Sequence, residues 1–136
     1  MVQLIYGTKG SGKTKRLIDM ANAEMAETKG NIVFMDDDKR YMYDVKSQIR
    51  FVDVKEYDID SAEKLYGFIC GMLAQNFDIV SIYIDAFVKI VGKKAEECEK
   101  LVQKVEEIAA KNNVKAVINV SGDPNDAPEY MKNLMI

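Results

Sequence analysis

Residues 4–20 read LIYGTKGSGKTKRLIDM. An apolar run gives way to Gly7, Gly10 and Gly12, and then directly to Lys13, Thr14 and an amphipathic stretch. The apolar run predicts a buried strand over residues 2–6. Leu17, Ile18, Ala21 and Met25 share one face of a predicted helix over residues 13–27, closed by Lys29 and Gly30. Strand, glycine turn and helix in direct succession form the opening unit of an α/β fold.

The turn itself, Gly7-Thr8-Lys9-Gly10-Ser11-Gly12-Lys13-Thr14, fits the pattern G-x-x-x-x-G-K-[ST]. Each position has a physical task. The glycines admit positive φ and let the backbone approach phosphate oxygens. Successive N–H groups then point into one concave nest, and the helix that starts near Lys13 adds the positive end of its dipole. Lys13 reaches the β- and γ-phosphates, and the Thr14 hydroxyl is suited to ligate Mg²⁺. Lys9 is counted with the loop's binding residues, although Lys9 and Lys15 both read most simply as solvated surface lysines.

Further strands are expected over residues 31–36 (NIVFMD), 50–54 (RFVDV), 78–85 (DIVSIYID) and 115–120, with helices over residues 61–76 and 94–112 and a short helix ending the chain. Ser61 is the expected N-cap of the first of these helices, and Asn112 and Asn113 the left-handed stop of the second. Alternation of strands and helices predicts one domain over residues 1–136. Its architecture is a three-layer α/β/α sandwich around a mostly parallel five-stranded sheet.

The 136 residues suit one domain with a core of its own. A net charge of −3 and a pI near 5.1 give no support to broad nucleic-acid binding. Two cysteines 28 residues apart and no histidine make a zinc site implausible. Cys70 and Cys98 read as buried thiols, and the absence of a recognisable leader or an apolar run of about 20 residues points to a cytoplasmic protein without a membrane span. With no histidine, any general base is a carboxylate, a lysine, a tyrosine or a positioned water.

A loop of this kind needs a second acid at a strand tip, to hold Mg²⁺ through water. Asp85, ending IVSIYID, is that acid; Asp78 begins the same strand and belongs at the opposite edge. Ala86 follows where many ATPases carry a water-activating glutamate. The activating carboxylate is therefore expected among Asp36, Asp37 and Asp38, which close the second strand at the same carboxyl edge of the sheet.

These stretches, taken in order from about residue 4 to residue 91, resemble the RecA-like branch of P-loop NTPases, in which the catalytic acid follows the second strand. The resemblance rests on GTKGSGKT, on NIVFMDDD with its trailing acids, on the small RFVDV strand and on the helix and strand that end in Asp85. It extends to small uncharacterised ATP-binding proteins of bacteria. It implies that Asp38 stands where the branch carries its catalytic glutamate. A polar residue ending the strand next to the loop would sense the γ-phosphate; AVINVSGD offers Asn119 and Ser121, and Ser121, at the tip, is the choice. Asp38 is shorter than a glutamate, and DNA strand exchange is not implied.

ATP is the expected nucleotide, since no NKxD-type guanine-reading motif appears. The expected activity is slow Mg²⁺-dependent ATP hydrolysis or a nucleotide-dependent switch, working with a partner or as a homo-oligomer. Arg40 is a candidate finger toward a neighbouring subunit, and Tyr41 or Tyr43 a candidate platform for adenine. A small-molecule or nucleoside kinase and a nucleotide-binding scaffold without turnover are the alternatives.

Overall fold

A computed structural model describes residues 1–136. Its elements are β1 (Val2–Gly7), α1 (Lys13–Glu27), β2 (Asn31–Asp36), β3 (Arg50–Asp53), α2 (Ala62–Gln75), β4 (Ile79–Ile84), α3 (Phe87–Val91), α4 (Glu99–Lys111), β5 (Lys115–Ser121) and α5 (Glu129–Lys132). The five strands form one sheet in the order β1-β5-β4-β2-β3, with every pairing parallel.

Successive strand residues serve opposite layers, as the pleat requires. Ile5, Ile32, Phe34, Tyr83 and Val117 face α1, with Leu17, Ile18 and Ala21. Their neighbours Leu4, Val33, Met35, Ile82, Ile84 and Ile118 face the larger core under α2, α3 and α4. Both faces are covered, which is why β2, β4 and β5 read as continuous apolar runs. Phe34 stacks between Phe51, 5.7 Å away, and Tyr83, 6.5 Å away, with both rings tilted by 14° from it.

The caps follow the sequence closely. The Ser61 hydroxyl accepts from the Lys64 N–H at 3.2 Å at the start of α2, and Asn113 takes φ 56° after α4. The expected helix over residues 94–112 is interrupted: a short 3-10 turn covers Ala95–Glu97, and Cys98, at φ −100° and ψ 4°, separates it from α4. The buried Cys98 thiol donates to the Lys94 carbonyl oxygen at 3.3 Å. Cys70 is half-buried rather than fully buried, and both thiols are free.

The short terminal helix stops at Lys132, earlier than expected. Residues 134–136 instead run along the outer edge of β1. The Leu4 N–H donates to the Leu134 carbonyl oxygen at 2.8 Å, and the Ile136 N–H donates back to the Leu4 carbonyl oxygen at 2.9 Å. An edge strand carries a row of unpaired backbone groups, and this segment satisfies part of it. No helix is long and apolar enough to cross a membrane.

Candidate functional site

The carboxyl ends of the strands meet at one edge of the sheet, where β1 runs into residues 8–12 before α1. Gly10 and Gly12 take φ 83° and 89°, a region that side chains other than glycine's rarely occupy. Gly12 is the N-cap of α1 and supplies no side-chain cap. The N–H groups of Lys13, Thr14 and Lys15 therefore find no acceptor within the protein and face outward as a set of donors. The Lys13 ammonium bends back over the loop and donates to the Thr8 carbonyl oxygen at 3.0 Å. Such a turn is a ready anion cradle.

The first two turns of α1 bring Thr14 to the tip of β4. Its hydroxyl donates to Asp85 Oδ2 at 3.0 Å, across 71 residues of chain. Asp85 is buried, and its other oxygen accepts from Asn119 Nδ2 at 2.9 Å and from the Ala86 N–H at 3.0 Å. Ala86 achieves this by adopting φ 54°, a left-handed conformation that costs an L-residue about 1 kcal/mol or more. Asn119 thus acts on Asp85 from mid-strand. Ser121 lies at the tip of β5, paired in register with Gly7, and lines the cavity beside the loop.

The three consecutive acids separate into three environments. Asp36 lies beside Asp85, because Met35 and Ile84 are partners on adjacent strands and the Asp85 N–H donates to the Met35 carbonyl oxygen at 2.9 Å. It is 2% exposed. Burial first, and the Asp85 carboxylate second, push its pKa up to about 8, so it holds a proton at neutral pH. Burial acts on Asp37 in the same sense, but the Lys89 ammonium, 2.6 Å from its Oδ2, outweighs it and keeps that carboxyl below its ordinary range. The contact is an ion pair by distance, with an angle outside hydrogen-bond geometry. Asp38 is partly exposed; one oxygen accepts from the Arg40 N–H at 2.9 Å and the other lies 3.4 Å from the Arg40 guanidinium.

Lys13, Thr14, Asp85, Lys89, Ser121 and the three acids line one cavity of about 890 Å³, near the upper end of the range of roughly 300–1,000 Å³ for small-molecule sites. It extends from the loop along α1, past Ile18 and Asn22, to Tyr41 and Asp44. Asn22 fixes that wall to α1: its amide donates to the Asp44 carbonyl oxygen and its Oδ1 accepts from the Lys46 N–H, both at 2.9 Å. Lys9 lines the rim, and Lys15 pairs with Asp19 at 2.6 Å. Tyr41 is half-buried at the cavity wall, whereas Tyr43 is 91% exposed and lies outside it.

Two buried oxygens beside Asp85, Asp36 Oδ2 and Asn119 Oδ1, have no hydrogen-bond partner. Buried acceptors without donors are costly. The Thr14 hydroxyl and the Asp85 carboxylate, 3.0 Å apart, are the oxygen pair suited to a small hard cation carrying its own water.

Lys89 is the functional candidate that sequence reasoning missed. Its signal was a lysine four residues after the strand-tip acid, on a short helix that brings it to Asp37. Asn119 was weighed only as a sensor, and Asp36 only as one of three acids. No model of a protein family matches the chain, and no curated protein matches it.

Proposed function

We propose that the protein binds Mg²⁺-ATP at residues 7–14 and is a slow ATP hydrolase or a nucleotide-dependent switch. One observation carries this reading: the Thr14 hydroxyl and the Asp85 carboxylate meet at 3.0 Å, which joins the phosphate-cradling turn to the strand-tip acid it requires. The loop N–H groups and Lys13 bind the phosphates; Thr14 directly, and Asp85 through water, hold Mg²⁺. The ion would neutralise phosphate charge as the terminal phosphoryl group is transferred.

Asp38 is the residue left to activate water. Asp36 retains its proton and Asp37 is committed to Lys89, so neither is available as a base. Asp38 reaches the cavity with only Arg40 as a partner. Ser121, in register with Gly7 at the tip of β5, is the residue we assign to sensing a terminal phosphate. The RecA-like assignment draws support from β5, which separates β1 from β4 and carries that serine. A carboxylate one methylene shorter than glutamate, without an acid at Ala86, would make turnover slow and dependent on a partner or a second copy, the role proposed for Arg40.

The test is phosphate release from Mg²⁺-ATP together with nucleotide affinity. Lys13→Ala is expected to abolish turnover and to weaken binding of ATP at least tenfold. Unchanged affinity would refute the reading. The kinase reading is favoured by the cavity's extension past the loop to Tyr41 and Asp44, which leaves room for a phosphoryl acceptor. Phosphorylated product from a panel of nucleosides would establish it in place of hydrolysis.

A further inference from the structure

We infer that Lys89, held in place by Asp37, is a second cationic ligand for the terminal phosphate and makes the site prefer a nucleoside triphosphate over a diphosphate. This rests on the nucleotide-binding reading above. Lys89 stands four residues after Asp85, on the short helix that leaves the tip of β4. Its side chain lines the cavity together with Lys13, Thr14 and Asp85.

An ammonium carries three N–H donors. Asp37 is its one protein partner, an ion pair at 2.6 Å, so at least two donors remain for a ligand. Asp37 is itself buried on the tip of β2 and cannot follow the lysine outward. The pair is therefore asymmetric: a fixed carboxylate anchors a flexible chain whose head stays in the cavity.

The charge balance requires such a cation. Asp37, Asp38 and Asp85 line the cavity, and of the loop's two lysines Lys13 is held over the loop by the Thr8 carbonyl oxygen while Lys9 lies at the rim. Lys15 is committed to Asp19, and Arg40 to Asp38. Lys89 lies on the side of Asp85 and the acids, the side on which the reading above puts the third phosphate, with the α1 N–H groups assigned to the others. Its contribution should therefore fall on ATP and not on ADP.

The experiment compares the affinities of Mg²⁺-ATP and Mg²⁺-ADP by calorimetry in wild type, Lys89→Ala, Asp37→Asn, the double variant and Lys13→Ala. Lys89→Ala is expected to weaken ATP roughly ten- to a hundredfold, the worth of a charge-assisted hydrogen bond, and to leave ADP within about threefold. Asp37→Asn should lose part of the preference, because the ammonium is no longer anchored, and the double variant should match Lys89→Ala.

Equal losses for both nucleotides, or none, would overturn the inference. So would a double variant with the wild-type preference, since Lys89 would then serve only to neutralise Asp37. Lys13→Ala separates the two levels. If it weakens both nucleotides while Lys89→Ala alters neither, the loop reading stands and this inference alone fails. If wild type binds neither nucleotide, both fall.

Discussion

Asp36→Asn tests the electrostatics at the base of the site. The aspartate carboxyl rises from an ordinary 3.8 to about 8 in the folded protein. A raised carboxyl pKa means that the folded state keeps a proton which the unfolded chain has released. Its contribution to stability is complete below pH 3.8 and is lost as the pH climbs through 8. At about 1.36 kcal/mol per pKa unit, the four-unit span sets a ceiling of about 6 kcal/mol. Asp36 and Asp37 titrate as a pair, so the share removed with Asp36 alone should be about half, roughly 3 kcal/mol. Asparagine has no proton to lose, and its carbonyl oxygen can still accept the Asp37 N–H, which lies 2.8 Å from Asp36 Oδ1. Urea unfolding without Mg²⁺ should show wild type losing stability steadily from pH 4 to pH 8 while the variant stays nearly flat. Above pH 8 the variant should be the more stable by that amount, a midpoint shift of about 1–3 M. A difference between the two proteins that is constant from pH 4 to pH 9 would refute the reasoning, because it would leave Asp36 with no unusual proton.

The remaining predictions concern the layer under α1. Phe34 is fully buried between two stacked rings, and Phe34→Ala should cost about 3–5 kcal/mol in chemical denaturation. Glu24 is pushed up by burial, but the Ser81 and Tyr83 hydroxyls, each donating at 2.6 Å, and Lys115 at 3.2 Å outweigh that and hold it below its ordinary 4.5. A depressed carboxyl stabilises the fold above its ordinary pKa and loses that contribution as the pH falls through the folded value. Glu24→Gln should therefore cost about 1–3 kcal/mol at pH 7 and flatten the acid limb of stability, read from thermal midpoints between pH 2 and pH 7.

The stretch from residue 4 to residue 20 was sufficient to predict β1, the glycine turn and α1, because each depends on local chemistry. Glycine is needed where φ is positive, and a 3.6-residue period is needed where a helix covers a sheet. The apolar runs NIVFM and IVSIYI announced strands buried on both faces, and all five strands were found, with the sheet wholly rather than mostly parallel. Local signals failed where distant partners decided the outcome. Leu134 and Ile136 look helical in isolation, but the open edge of β1 offers them backbone partners. Residues 94–98 carry helical side chains, yet the chain tightens there into a 3-10 turn in which the Cys98 thiol meets the Lys94 carbonyl oxygen.

The sequence by itself therefore determined the fold class, the turn suited to a phosphate and the edge of the sheet at which the acids gather. All of these follow from short-range periodicity and from residue types with narrow conformational uses. Only the tertiary structure decided how the neighbouring acids differ. Asp36, Asp37 and Asp38 are indistinguishable in composition, and their roles separate through contacts 49 or more residues away: Asp85 beside the first and Lys89 on the second, while the third keeps only its neighbour Arg40. A carboxylate's proton and its reach are set by what desolvates it and what charge stands next to it, and those neighbours are chosen by strand order.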